Sequence, residues 1–481
     1  MIDDEELEQR VYRLLNEAAH VYRAVPPAAA LLRTTLDRLA DPLRLAVAGP
    51  PQSGKSTLVN ALIGEELAPV ELPGERLTTV AYRDATQPAA RWHDAEIPMV
   101  RTGHGLRLTP DARHDRRPDD PGRATIAWPS RVLRRTELSD THLPPAQALR
   151  DADAVLYVTP QLGAGDIQNL QTTIDVRGQL AAPIHVLVVV SRADTVGGGR
   201  LDALLTAKQQ ARRRRREPRV GALCQDVLAV APLIAATART LTDDEFSTLA
   251  TLAALPKSES EPYLLSTDRF TAAGALAPVD AQRRVHLLQR LGLGGVRLAL
   301  TLTRTGCDTG AALAERLQEH SGLKDLQASI AELFTSRRAV LRARSALTTL
   351  DHLLRTHQVP PAAKLLADLE LLVADTHELR ELRLLSALRG GRVALPPEHA
   401  PDARRLLGGT GTSVGERLGM SPDATAEDTW TAAGAAASRW RDLAHGRALS
   451  PAQTRAAETV LATCDMIANR LEHLAAPAPL Y

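Results

Sequence analysis

The chain has 481 residues, enough for two or three domains with a sizeable core, and its 58 basic and 57 acidic side chains nearly cancel. That balance gives no argument for nucleic acid or another polyanionic partner, and only five of the basic residues are lysine, a skew of composition rather than a binding surface. Cys224, Cys307 and Cys464 are far apart and form no CxxC pair, which predicts reduced thiols in a cytoplasmic protein. The start MIDDEELEQR reads as an acidic helix rather than a signal peptide. The longest apolar runs fall far short of the ~20 residues a spanning helix needs, so any membrane contact is expected from the surface.

Residues 3–24 carry Leu7, Val11, Leu14, Leu15 and Ala18 at helical spacing, and after Pro26 and Pro27 a second helix sets Leu32, Leu36 and Leu39 on one face. Asp41-Pro42 ends it. An apolar strand over residues 43–48 then enters Gly49-Pro50-Pro51-Gln52-Ser53-Gly54-Lys55-Ser56, which fits G-x-x-x-x-G-K-[ST]. Thr57 continues into an apolar helix that Gly64 can stop. In that order, strand, glycine loop and helix make a phosphate cradle: backbone N–H groups of Gln52, Ser53, Gly54 and Lys55 wrap the anion, with the positive end of the helix behind them. Lys55 is expected to reach the β- and γ-phosphates and the Ser56 hydroxyl to ligate Mg²⁺.

A β-like run over 77–82 follows, then a polar stretch, 84–124, read as a surface insertion that is partly mobile. Strands are expected around 136–139, 154–158, 184–190 and 227–230, with helical segments between them. This βαβα order predicts a doubly wound, mainly parallel α/β sheet. Ser191-Arg192-Ala193-Asp194 sits directly after the most apolar strand and matches the [NT]KxD base loop of GTPases in the variant SRAD. A carboxylate there accepts two bonds from guanine, at N1–H and the exocyclic amine, a pair adenine lacks, and the Arg192 stem can cover the base face. Ala231-Pro232-Leu233 stands where a second base loop is expected; with Ala231 in place of its usual serine, only a backbone contact remains.

Past residue 240 the pattern is helical. Long helices are expected over 285–304, with a glycine-bearing break at 292–295, and over 323–354, 361–388, 425–445 and 451–474. Val460, Cys464, Ile467, Leu471 and Leu474 form a narrow seam, read as packing within a bundle, with an oligomer interface as the alternative. The five arginines at 212–216 read as a solvated helix end, the glycine-rich stretch at 408–413 as a loop joining helices, and His377 and Glu378 as surface groups.

The runs SRADTVGGGRLDA, VAPLIAATARTL, LGLGGVRLAL, SGLKDLQASI and LLGGTGTSVGERLGM resemble the actinobacterial dynamin-like proteins, whose wider circle includes the sporulation dynamins of Streptomyces; the similarity covers nearly the whole chain. It implies a dynamin-type G domain at 41–320, N-terminal neck helices at 1–40 and a helical neck and trunk at 321–481. It also implies GTP/GDP and Mg²⁺ as ligands and work in membrane remodelling or septum and envelope maintenance at the cytoplasmic face of the cell membrane. The implied partner is a second dynamin-like chain, in a homo- or hetero-oligomer. Asp140-Thr141-His142-Leu143 stands for the family's DxxG loop, which makes Asp140 a second Mg²⁺ contact but replaces the glycine with Leu143. The switch threonine falls on Glu75 or Arg76 in one register and on Thr78 or Thr79 after a short slip, and Gln52 and Pro51 replace the family's phosphate-loop Ser and Gln. These departures predict weak hydrolysis by Lys55, Ser56, Gln52 and Thr78, or alternatively a nucleotide-holding scaffold that regulates an active paralogue.

Overall fold

The computed structural model describes residues 2–475 other than 73–76, 93–94, 103–104, 110–121, 174–183, 201, 422 and 447–448. Its strands are β1 (Leu43–Ala48), β2 (Val70–Glu71), β3 (Thr79–Asp84), β4 (Ala89–Trp92), β5 (Ala95–Ile97), β6 (Met99–Thr102), β7 (Gly105–Leu108), β8 (Arg123–Trp128), β9 (Thr136–Thr141), β10 (Ala154–Thr159), β11 (Val186–Val190) and β12 (Asp226–Ala229). Nine of them form one sheet in the order β12-β11-β10-β1-β9-β3-β8-β4-β5. From β12 to β9 every neighbour is parallel; β3 is antiparallel to β9, parallel to β8, and β8-β4-β5 continue antiparallel.

Alternate residues of β1 face opposite cores: Leu43, Leu45 and Val47 belong to one, Ala46 and Ala48 to the other. That double burial is why the parallel strands read as unbroken apolar runs. Of the polar stretch 84–124, residues 93–94, 103–104 and 110–121 lie outside the described residues. Its described residues supply β4 to β7 and the first two residues of β8, and β2-β7-β6 make a small second sheet. Trp92, Ile97, Leu106 and Leu108 are buried, and these few apolar residues anchor strands that a charge-dominated reading treats as loop.

The N-terminal helices pack against helices of the C-terminal half, where the sequence predicted a neck. Helix Ile2–Val21 and helix Pro26–Arg38 lie on helix Arg338–Thr356, joining Val11, Leu15, Ala18, Tyr22 and Leu32 to Leu347, Leu350 and Leu354 in one core that continues onto the face of β1. Arg342 locks the joint, donating to Glu8 and to the Asp41 carbonyl just before β1, both at 2.5 Å. The expected helix over 323–354 is broken at Phe334, and Arg337, buried in the turn Thr335–Arg337, donates to the carbonyls of Leu407 and Gly408 at 2.7 and 2.9 Å. The expected helix over 361–388 also parts, at the extended Thr376, into Ala362–Asp375 and His377–Arg389. Val460, Cys464 and Ile467 are buried on helix Pro451–Ala475 with Ala433, Ala436 and Trp440 of helix Ala426–His445 in the same core, so the seam serves packing within the chain; the Leu474 side chain lies outside the described residues. Two of the five arginines are structural: Arg214 bonds Glu217 and the Leu162 carbonyl, and Arg215 forks onto Asp226 at 2.9 and 3.1 Å.

His377 is not a surface group. It is buried, 2.9 Å from Thr463 Oγ1, which itself donates to Glu381 at 2.8 Å, while Arg417 forks onto both Glu381 oxygens at 2.9 and 3.1 Å. Burial alone pushes the Glu381 carboxyl up; the charge of Arg417 and the His377 bond outweigh it and hold the group at about 2. A carboxyl depressed on folding contributes stability above its unfolded value and loses it as pH falls towards the folded one. Melting temperature should therefore fall between about pH 4 and pH 2 in the native protein. Glu381→Gln should cost about 3–5 kcal/mol at neutral pH by leaving the half-buried Arg417 uncompensated beside a buried site, and should flatten that acid transition in a denaturation series.

A phosphate-loop cavity at the carboxyl edge of the sheet

The parallel register carries the chemistry to one edge. Val47 pairs with Asp140 on β9 and with Leu156 on β10, and Val190 at the end of β11 pairs with Thr159. The loops that leave β1, β9 and β11 therefore emerge together, in the crevice where open α/β sheets hold ligands. There a cavity of 770 Å³ is lined by Gln52 to Thr57 at one end and by Ser191, Arg192 and Asp194 at the other.

Gly49 opens the loop at φ +148°, and a Cβ there would stand 2.0 Å from the Val158 carbonyl oxygen, so β10 leaves room for no side chain. Gln52 (φ 58°) and Gly54 (φ 90°) turn the chain into helix Lys55–Ile63. Lys55 is buried and donates to the carbonyls of Gly49 at 3.1 Å and Pro50 at 2.9 Å; burial pushes its pKa down, against the pull of Asp140. Ser56 Oγ donates to Asp140 Oδ2 at 2.5 Å. Asp140 Oδ1 is buried with no partner in the protein, as are the hydroxyls of Ser53 and Ser191 on the cavity wall. Burial raises the Asp140 pKa, opposed by the Ser56 bond and by Lys55 and His142. A hydroxyl and a carboxylate with one bare oxygen suit Mg²⁺, provided phosphate oxygens and water complete its shell. Among the described residues no cluster of three or more His, Cys, Asp or Glu could hold a metal ion unaided.

At the other end Arg192, at φ 56°, donates to the Gln52 carbonyl at 3.1 Å and so ties the base loop to the phosphate loop. Asp194 is pushed up by burial, with its own backbone N–H and Arg192 opposing. Helix Ala281–Arg304 forms a wall that the sequence reading did not assign to the site. It kinks at Gly292 (φ 67°, ψ 168°), and a Cβ on Gly294 would lie 2.6 Å from the Asp194 carbonyl oxygen. The signal was present in Leu291-Gly292-Leu293-Gly294-Gly295, three glycines inside an otherwise strong helical pattern.

Two expectations change. Ala231 does not line the cavity; it is buried and its N–H donates to the Ser321 carbonyl at 2.8 Å, while Pro232 and Leu233 reach the wall. Neither Thr78 nor Thr79 lines it. The Thr79 hydroxyl lies 2.9 Å from that of Thr141, and the Thr78 carbonyl accepts from Thr141 Oγ1 at 3.2 Å and from the His142 N–H at 2.9 Å. Glu75 and Arg76 lie outside the described residues. The Leu143 amide, standing where the DxxG glycine would offer its N–H, donates to Thr141 Oγ1 at 3.1 Å.

No family model matches the chain. It is 34% identical over 454 residues to the isoniazid-induced protein IniC of Mycobacterium tuberculosis, across 89% of this chain and 90% of that protein. A shorter similarity, 31% over 165 residues, covers 34% of this chain and 28% of the tRNA modification GTPase MnmE of Methylibium petroleiphilum. A solved chain from an oligomerised bacterial dynamin pair superposes over 98% of this chain and 75% of its own length at 13% identity and a TM-score of 0.32.

Gly49→Ala tests the cavity's construction independently of any ligand. The added methyl meets a backbone carbonyl, which cannot rotate away, so β10 or the loop must shift. A loss of about 1–3 kcal/mol is expected in denaturant unfolding; unchanged stability would show that the strand yields freely.

Proposed function

The chain belongs to the family of the isoniazid-induced protein IniC, and from that premise we propose that it is a dynamin-like protein that binds guanine nucleotide with Mg²⁺ and turns GTP over slowly. The observation that carries this reading is the Ser56–Asp140 contact, with its bare Asp140 oxygen, in the same crevice as Asp194. The roles follow from position. Loop amides from Gln52 to Lys55 and the Lys55 ammonium hold the phosphates, Ser56 and Asp140 hold the cation, and Asp194 accepts from the guanine edge. The cation would supply charge neutralisation on the β- and γ-phosphate oxygens.

Slow turnover rests on the other side of the phosphates. Phosphoryl transfer depends on positioned donors around the γ-phosphate, yet the Leu143 amide is engaged by Thr141 and the Thr79 hydroxyl lies beside that same residue. Those contacts favour the scaffold reading, in which the nucleotide-bound form regulates an active dynamin-like paralogue. Among the described residues no helix is long and apolar enough to cross a membrane. The membrane remodelling in this reading is exercised by surface contact at the cytoplasmic face.

Calorimetry with GDP and ADP tests the site. The native protein should prefer GDP, and Asp194→Ala should lose about 2–3 kcal/mol of GDP affinity, roughly 30- to 150-fold. Lys55→Ala should weaken both nucleotides alike. Equal affinity of the native protein for ADP and GDP would sink the assignment.

Phosphate release separates the two functional readings. The isolated protein should release phosphate slowly, and addition of liposomes or of a dynamin-like paralogue should reveal whether a partner completes the site. Fast turnover by the isolated protein, abolished by Lys55→Ala, would contradict the engaged Leu143 amide as the limiting feature.

A further inference from the structure

Beyond Asp194 the base-loop end of the cavity is largely apolar, and the charged side chain that reaches it, Arg297, is taken up by main-chain carbonyls. Leu233, Leu265 and Leu293 line it together with the backbone of Gly292 and Gly294. A Cβ on Gly292 would stand 3.6 Å from Asp194 Oδ2 and 3.7 Å from Leu233 Cδ1, which sets the carboxylate, the bare backbone and an apolar side chain around one small space. Leu265 is 64% exposed although it lies on a cavity wall. It belongs to the short turn Tyr263–Leu265, far in sequence from the base loop.

Arg297 joins these parts. Its guanidinium donates only to main-chain carbonyls: Nε to Leu264 at 2.8 Å, Nη2 to Leu264 at 2.5 Å and to Leu265 at 3.5 Å, and Nη1 to Gly198 at 2.6 Å and to Gly199 at 3.4 Å. One planar side chain, five donors wide, thereby fixes the turn that carries Leu265 against the loop that carries Asp194. It rises from the same helix whose Gly294 abuts the Asp194 carbonyl.

Resting on the reading of this cavity as a nucleotide site, we propose that Leu265 and Leu233 form an apolar slot for the purine ring, and that Arg297 is the positioning residue that sets its width. The slot is indifferent to which purine enters; Asp194 makes the choice of guanine. Every base has an apolar face, and covering an exposed leucine with it removes apolar surface from water on both sides.

The test compares ligands with and without a base. Affinities of the full chain for GDP, ADP and inorganic tripolyphosphate are measured for the native protein, Leu265→Ser, Arg297→Ala and Arg297→Lys, with melting temperatures in the absence of ligand. Leu265→Ser and Arg297→Ala should weaken GDP about tenfold, the loss expected on uncovering most of one leucine side chain, while tripolyphosphate stays within about twofold. Arg297→Lys, able to reach one loop but not bridge both, should recover part of it. Unchanged GDP binding by Leu265→Ser, or equal losses for GDP and tripolyphosphate, overturns the slot. A native protein that binds ADP as tightly as GDP refutes the guanine assignment instead, and Leu265→Ser then still reports on the slot through ADP. Leu265→Ser is a surface change, so the slot stays testable even if Arg297→Ala fails to fold.

Discussion

The register of β1 between β9 and β10 is the constraint on which the rest depends. It puts Asp140 level with the last residues of β1, so that the first turn of the following helix can bring Ser56 onto it. It also sets the Val158 carbonyl against Gly49, which fixes the start of the phosphate loop. A one-residue slip would exchange the two faces of β1 and send Leu45 and Val47 to the face that receives Ala46 and Ala48. The large residues face the neck side and the small ones the other, so the register is enforced by volume on both faces.

The same strand ties the cavity end of the molecule to its helices. The core beneath Leu43 and Leu45 runs without a break into the neck, and Arg342 holds the chain at Asp41, immediately before β1. Helix Ala281–Arg304 makes a second link. Its Arg290 bonds Glu66, just past the phosphate-loop helix, and Glu245, while two turns on its Arg297 grips the base loop. Both ends of the cavity are therefore hydrogen-bonded to the helices that flank them.

Much of this was legible from residues alone. The glycine loop, the buried strands and SRAD each follow from local chemistry, because backbone turns and double burial leave strong marks on composition. What stayed hidden depended on distant partners. His377 looks like a surface histidine in a leucine-rich helix until Thr463 meets it from another helix and Glu381, one turn along its own, is held by Arg417. Strands β4 to β8 were masked by charged neighbours, since only alternate residues needed to be apolar. Ala231 was placed by analogy with a loop, but the nearby Ser321 carbonyl claims its amide. Leu265 carries no motif, and only the fold brings its turn to Asp194.

The central claim is that Ser56 and Asp140 share a divalent cation with a bound guanine nucleotide. The direct measurement is the affinity of a non-hydrolysable GTP analogue as Mg²⁺ is titrated, in the native protein and in Asp140→Asn. The account predicts affinity that rises with Mg²⁺ and saturates in the native protein, and a dependence largely lost in the variant. Affinity indifferent to Mg²⁺ in the native protein, or an unchanged dependence in Asp140→Asn, would contradict it.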